Sequence, residues 1–188
     1  MQYNYLDLIQ LFNNTFTKEY KTKLVKGGDE PIYIPANNDC SFHQVIFAHG
    51  YYASALHEIA HWCQAGEARR QLEDYGYWYV PDGRNEQQQK TFEQVEVYPQ
   101  ALEWAFNASA QKVFNVSSDN LNGFQGDRHQ FKEKVFQQVL YFLEHGFPKR
   151  AAQFITVLAE FYGTPLPLTK AQFEEKQTQI KEHSSEPF

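Results

Sequence analysis

The sequence predicts a single α+β domain built from several helices and a few short strands. Three observations carry this. A chain of 188 residues suits one domain that can bury a core without disulfide or metal staples. Apolar residues recur at helical spacing in several separate stretches. After the first of these come short β-type runs bounded by Gly, Pro and Asp.

The elements follow in order. Tyr5, Leu8, Ile9, Phe12 and Phe16 fall on one face and predict an amphipathic helix over residues 3 to about 20. "LVKGGDEPIYIPANND" then holds two short β-type runs. Pro31 and Pro35 bracket Ile32, Tyr33 and Ile34, which suits an edge strand. Gln44 to Ala48 reads as a further strand, closed by Gly50. A long helix is expected from Tyr52 to about Glu73, weakened near its end by Gly66. Tyr75, Tyr77, Trp78 and Tyr79 form a strand or an irregular loop, and Pro81, Asp82 and Gly83 form a turn. Residues 87–111 are helical, with Pro99 implying a kink or a new first turn. Residues 114–128 make a polar, Gly-containing loop. Phe131, Val135, Val139 and Leu143 mark another helix, and a last one runs from about Lys149 to Tyr162. Residues 1–170 read as one domain, and 171–188 as a polar C-terminal tail.

Composition narrows the function. The net charge of −6 disfavours a nucleic-acid binder. The two cysteines, Cys40 and Cys63, show no CxxC spacing and are expected to stay reduced. The N-terminus has no basic segment before an apolar run, so it does not read as a signal peptide. No stretch approaches about 18 apolar residues, the least a membrane span needs. The expectation is a soluble cytoplasmic protein with no direct nucleic-acid or membrane partner.

The chemistry-bearing motif is HEIAH, His57 to His61, near the middle of the expected helix. Residues four apart on a helix differ by about 40° in direction. His57 and His61 therefore project from one face and can share a divalent ion. Glu58 lies beside that face, within reach of a metal-bound water. The plain alternative is two half-buried histidines on an amphipathic helix. A third ligand must come from elsewhere. The metzincin extension fails, because Gln64 and Glu67 stand where it needs Gly and His. "FEQVEVYPQALEW" offers Glu93, Glu96 and Glu103. Glu96 is the expected ligand, with Glu93 as the alternate or as a partner that orients a ligand. His43, His49 and His129 read as structural. Two His and a carboxylate suit hydrolytic zinc or oxygen-activating ferrous iron, and the ligand set does not choose between them.

The order and spacing of "VKGGDEPIYIPA", "IFAHGYYASALHEIAHWC", "DYGYWYVPDGR", "FEQVEVYPQALEW" and "FNVSSDNL" point further. The chain resembles the bacterial elongation factor P hydroxylase family from its first helix to about residue 170. The resemblance implies an α+β fold with helices packed on a small mixed sheet, similar to the YbeY metal-dependent ribonuclease. It implies hydroxylation of the lysine of elongation factor P that already carries a β-lysyl group. It also implies Fe(II) held by His57, His61 and Glu96, with molecular oxygen as co-substrate and an unspecified reductant. Glu58 would then be a base or proton shuttle. Tyr77, Trp78, Tyr79 and Asp82 are candidates for gripping the cationic substrate arm. Arg84 would dock an acidic partner surface or pair with Asp82. The leading alternative is a zinc-dependent HExxH peptidase. A metal-dependent ribonuclease and a non-catalytic metal-stabilised module are weaker rivals.

Overall fold

The computed structural model describes residues 3–76, 82–118 and 120–174. Helix α1 (Tyr5–Tyr20) opens on Asn4, whose side chain accepts the Leu6 N–H and satisfies a donor of the first turn. Its expected stripe is buried at Leu8, Phe12 and Phe16. Three strands follow: β1 (Thr22–Lys26), β2 (Ile32–Ile34) and β3 (His43–Phe47). Their spatial order is β1-β3-β2, with β1 parallel and β2 antiparallel to β3. The sheet is therefore small and mixed. β2 lies at an edge, where Pro31 costs no ladder hydrogen bond.

β3 passes to helix α2 (Tyr52–Gln64) through His49 and Gly50, both left-handed with φ of 54° and 73°. This turn sets the HEIAH helix directly against the central strand. The helix ends at Gln64, well short of the Glu73 expected from sequence. Two arginines explain the stop. The Ala65 carbonyl accepts from Arg70 Nη1 at 2.8 Å and from Arg150 Nη2, and Arg150 Nη2 also reaches the Cys63 carbonyl at 3.2 Å. Cations on the last carbonyls satisfy acceptors that a continuing helix would have used. Ala65 turns extended, and two short 3-10 turns follow, Arg69–Gln71 and Glu73–Gly76.

Helix α3 (Glu86–Ser109) begins with a reciprocal capping box between Asn85 and Gln88. The structure keeps one helix through Pro99. The carbonyl that Pro99 cannot serve belongs to Val95, which is 37% exposed, so water can take it. Helix α4 (Arg128–His145) is capped by Asp127, which accepts the N–H groups of His129 and Gln130. Helix α5 (Lys149–Tyr162) completes the set. Among the described residues no helix is long and apolar enough to cross a membrane.

α2 packs on β3 and α3; α3 packs on α4 and α5. The core between α1, α2 and α5 is aromatic. Phe12 meets Phe16, Trp62 and Phe154 with centroids 4.9, 5.0 and 6.0 Å apart. Packing continues past residue 170, because Phe173 is buried and meets the Trp104 ring edge-on. Phe12→Ala opens a void in this cluster that α1, α2 and α5 cannot all collapse into. Its expected cost is about 3–5 kcal/mol, read as a lower urea midpoint with an unchanged m-value.

Candidate metal centre

α2 presents His57 and His61 towards α3, and α3 answers with a buried polar stripe. Glu96, Gln100, Glu103 and Asn107 recur at helical spacing and are each less than a tenth exposed. His57 Nε2 and His61 Nε2 stand 3.1 Å apart. Glu96 Oε2 is 3.6 Å from His57 Nε2, and Glu96 Oε1 is 3.3 Å from His61 Nε2. One donor atom from each residue therefore falls in a single cluster within 4.8 Å.

The donor set fits a small divalent ion. Ligand bonds of about 2.0–2.2 Å place neighbouring donors about 3.0–3.5 Å apart, close to the spacings here. The nitrogens need a cation for a second reason. His57 Nδ1 lies 3.0 Å from Glu103 Oε2 and donates to it, so Nε2 is the nitrogen that faces the cluster. In neutral rings whose Nε2 lone pairs both face inward, those pairs would oppose each other at 3.1 Å. A shared cation removes that conflict. The His57 and His61 side chains keep 23% and 13% of their surface open, whereas Glu96 keeps 2%. The cluster is buried on its carboxylate side and accessible on its imidazole side.

Neighbours fix the orientation. Gln100 Nε2 donates to Glu96 Oε2 at 3.2 Å and to the Ser117 carbonyl at 2.7 Å, and Gln100 Oε1 accepts the Ser117 N–H. Glu96 is thereby tethered to the loop after α3. Burial penalises an imidazolium at His57, but the Glu103 hydrogen bond and the Glu96 and Glu103 charges outweigh it and raise its pKa. Burial also opposes ionisation of Glu96, yet the His61 and His57 charges hold its carboxyl below the usual range. Without metal, the pair is a buried imidazolium–carboxylate couple. Glu58 is half-buried beside the two histidines. Burial pushes its pKa up, and the His57 and His61 charges temper the rise.

The other described residues singled out in the sequence lie elsewhere. Glu93 accepts from Gln89 Nε2 at 3.2 Å and lines a separate cavity with Phe124 and Gly126. It does not orient a cluster histidine; Glu103 does. Glu103 stands seven residues after Glu96, two helical turns on, so the same-face rule was the signal for it. Asp82 accepts from Gly83 N and from Asn122 N and Nδ2, at 2.7, 3.1 and 2.5 Å, which ties two loops together. Arg84 is buried over the Phe92 ring at 3.7 Å and donates to Gln89 and the Ser118 carbonyl. Tyr77, Trp78 and Tyr79 lie outside the described residues. His43 Nδ1 accepts the Ala36 N–H, His49 is exposed near Asp29, and His129 sits in the exposed first turn of α4.

Comparison with known proteins places this geometry in a family. Residues 11–173 match the family model described as elongation factor P hydroxylase. A Haemophilus influenzae protein named elongation factor P lysine hydroxylase is 51% identical over 174 residues, covering 93% of this chain and 98% of that protein. With the match running from within α1 to Phe173, the chain belongs to the elongation factor P hydroxylase family.

Proposed function

We propose that this protein hydroxylates the β-lysylated lysine side chain of elongation factor P at an iron(II) centre held by His57, His61 and Glu96. Family membership supports the protein substrate and the hydroxylation. The convergence of two imidazole nitrogens and one buried carboxylate, open on one side, carries the metal assignment. Iron(II) bound there would supply the oxygen-activating chemistry that an unactivated C–H bond requires.

The chain's own residues do the rest. Glu103 holds the His57 ring in the orientation that aims Nε2 at the cluster. Gln100 holds the Glu96 carboxylate against both histidines. Glu58, with its raised pKa, takes up or returns a proton at the open side. Molecular oxygen is the co-substrate. One oxygen atom enters the substrate C–H bond, and an external reductant supplies the electrons and protons that carry the other to water. The reaction is assigned to the cytoplasm.

The direct test is intact-mass analysis of β-lysylated elongation factor P after incubation with the protein, Fe(II) and a reductant in air. The expected result is a gain of one oxygen atom that requires both iron and O2. No gain, together with zinc in the purified protein and chelator-sensitive peptide cleavage, would replace this reading with the hydrolase one.

His57→Ala, His61→Ala and Glu96→Ala should each lose stoichiometric iron and all turnover while keeping the wild-type circular dichroism spectrum. Glu93→Ala should keep both iron and turnover, and the reverse pattern would reassign the carboxylate ligand.

Glu103→Gln should weaken metal affinity about 10–100-fold without unfolding the protein. The metal-free protein holds a proton on His57 that a metal must displace. Affinity for a divalent ion should therefore rise with pH through the neutral range, by about tenfold per unit for one displaced proton. Removing the Glu103 charge lowers the His57 pKa, so this slope should flatten in Glu103→Gln. Titrations with Co(II) at several pH values would read both effects.

A further inference from the structure

The helix face that carries the two histidines does not end with them. Gln64 stands seven residues after His57 and three after His61, so all three share one face of α2. A metzincin would place its glycine at this position and its last ligand at Glu67. Here Glu96 of α3 supplies the third donor, which leaves Gln64 and Glu67 outside the metal cluster. Both line a cavity of about 350 Å3 that also takes in His61. Its volume lies at the low end of the range for small-ligand pockets. The cavity is bordered by Gly66, Glu67, Ala68 and Arg69, all exposed to solvent, and a Cβ at Gly66 would meet no atom within 4 Å. The cavity around Glu93, by contrast, contains none of the three donors.

The polar groups of the wall are few and different in kind. Gln64 is half-buried, and its side-chain amide makes no hydrogen bond to any described residue, so it is available to a ligand. Such an amide offers both an acceptor oxygen and N–H donors. Glu67, when ionised, only accepts. Arg69 is the cation of the wall, and its Nη1 donates to the Tyr75 carbonyl at 2.9 Å. From the half-buried Gln64 to the exposed Glu67, the wall presents first an amide and then a carboxylate.

We infer that this cavity seats the aminoacyl end of the substrate arm, with the Gln64 amide pairing with the amide that joins the added group to the lysine. This rests on the function proposed above. Gln64 lies about 4.5 Å beyond His61 along the helix axis. An amide a few bonds past the lysine methylenes falls at that offset when those methylenes face the histidine nitrogens. Its carbonyl accepts from Gln64 Nε2, and its N–H donates to Gln64 Oε1. A bare lysine ammonium fills only half of this pairing, because it donates and cannot accept. The ammonium groups of the added residue then lie towards Glu67, where charge-assisted hydrogen bonds hold them. A site built to pair with an amide discriminates against an arm that lacks one.

The test compares wild type with Gln64→Leu and Gly66→Leu, all loaded with Fe(II) and kept free of oxygen to prevent turnover. The first substitution removes the amide at similar volume. The second fills the cavity from a position with open space and no left-handed φ. Each protein is titrated calorimetrically with β-lysylated and with unmodified elongation factor P. Wild type should prefer the lysylated factor, and each variant should bind that factor about tenfold more weakly. Affinity for the unmodified factor, metal content and melting temperature should hold in both variants. Undiminished binding of the lysylated factor by either variant would overturn the inference, as would a wild type with no preference. Equal weakening for both factors would also overturn it, because the cavity would then be an entrance shared by any arm. A lower melting temperature or metal content in either variant would do the same, by giving that position a structural task. Failure of the two claims can be told apart. Weaker binding by the variants, without oxygen gain by wild type, sinks the hydroxylation alone. Unchanged binding by the variants, with wild-type turnover intact, sinks the aminoacyl seat alone.

Discussion

Glu96 lies almost wholly out of water, and an ionised carboxylate in that position requires a cation in contact with it. A protonated His57, or a metal ion shared by His57 and His61, meets this requirement. The packing of α2 on α3 is organised around that need. The face of α2 that carries Ala55, Leu56, Ile59 and Trp62 is apolar and belongs to the core. The face turned to α3 is polar, and it meets a polar stripe that would be unfavourable anywhere else in the interior. Each carboxylate in the stripe has a histidine partner: Glu96 has both rings, and Glu103 has the far nitrogen of His57. Loss of any one member leaves a buried group unpaired.

Such a seam tolerates little sliding, so the ends of its helices matter. α3 is fixed at its start by the Asn85–Gln88 capping box, and its carboxylate face is tied to the following loop by Gln100 and Ser117. α2 is fixed at its start by the turn out of β3 and at its end by Arg70 and Arg150. The aromatic cluster of Phe12, Phe16, Trp62 and Phe154 then prevents α2 from rotating about its axis. A rotation of one residue would turn His57 and His61 by about 100° away from Glu96.

Much of this was legible in the sequence. The stripes of α1 and α4 fell on their buried faces, except that Phe142 rather than Leu143 ends the α4 face, and Pro31 and Pro35 named the edge strand. HEIAH on a helix already implied two imidazoles on one face, and the choice of Glu96 over Glu93 from the same block agrees with where the two carboxylates point. Other features depend on contacts between residues far apart in the chain, which periodicity does not encode. The early end of α2 is held by Arg70 together with Arg150, which lies 86 positions beyond its last residue. The continuity of α3 through Pro99 depends on an exposed turn at Val95 that can surrender its carbonyl to water. Glu103 was visible as a carboxylate on the right face, but only packing shows that it meets the outer nitrogen of His57 rather than the cluster itself.

The early stop of α2 also gives the site its shape. Had the helix run on to Glu73, its next turns would have extended straight past His61, and no chain would return to wall the cavity. With Ala65 extended, the chain folds back through two short turns and delivers Tyr75 beside His61. Neither arginine at that stop lines the cavity. Arg150 belongs to α5, lies over the Trp62 ring at 4.4 Å, and reaches the Cys63 and Ala65 carbonyls from the core side. One guanidinium thus joins the aromatic core to the wall of the open site. The open side of the centre is bounded by where a helix is made to end, while the side that holds the carboxylate is defined by where two helices are made to meet.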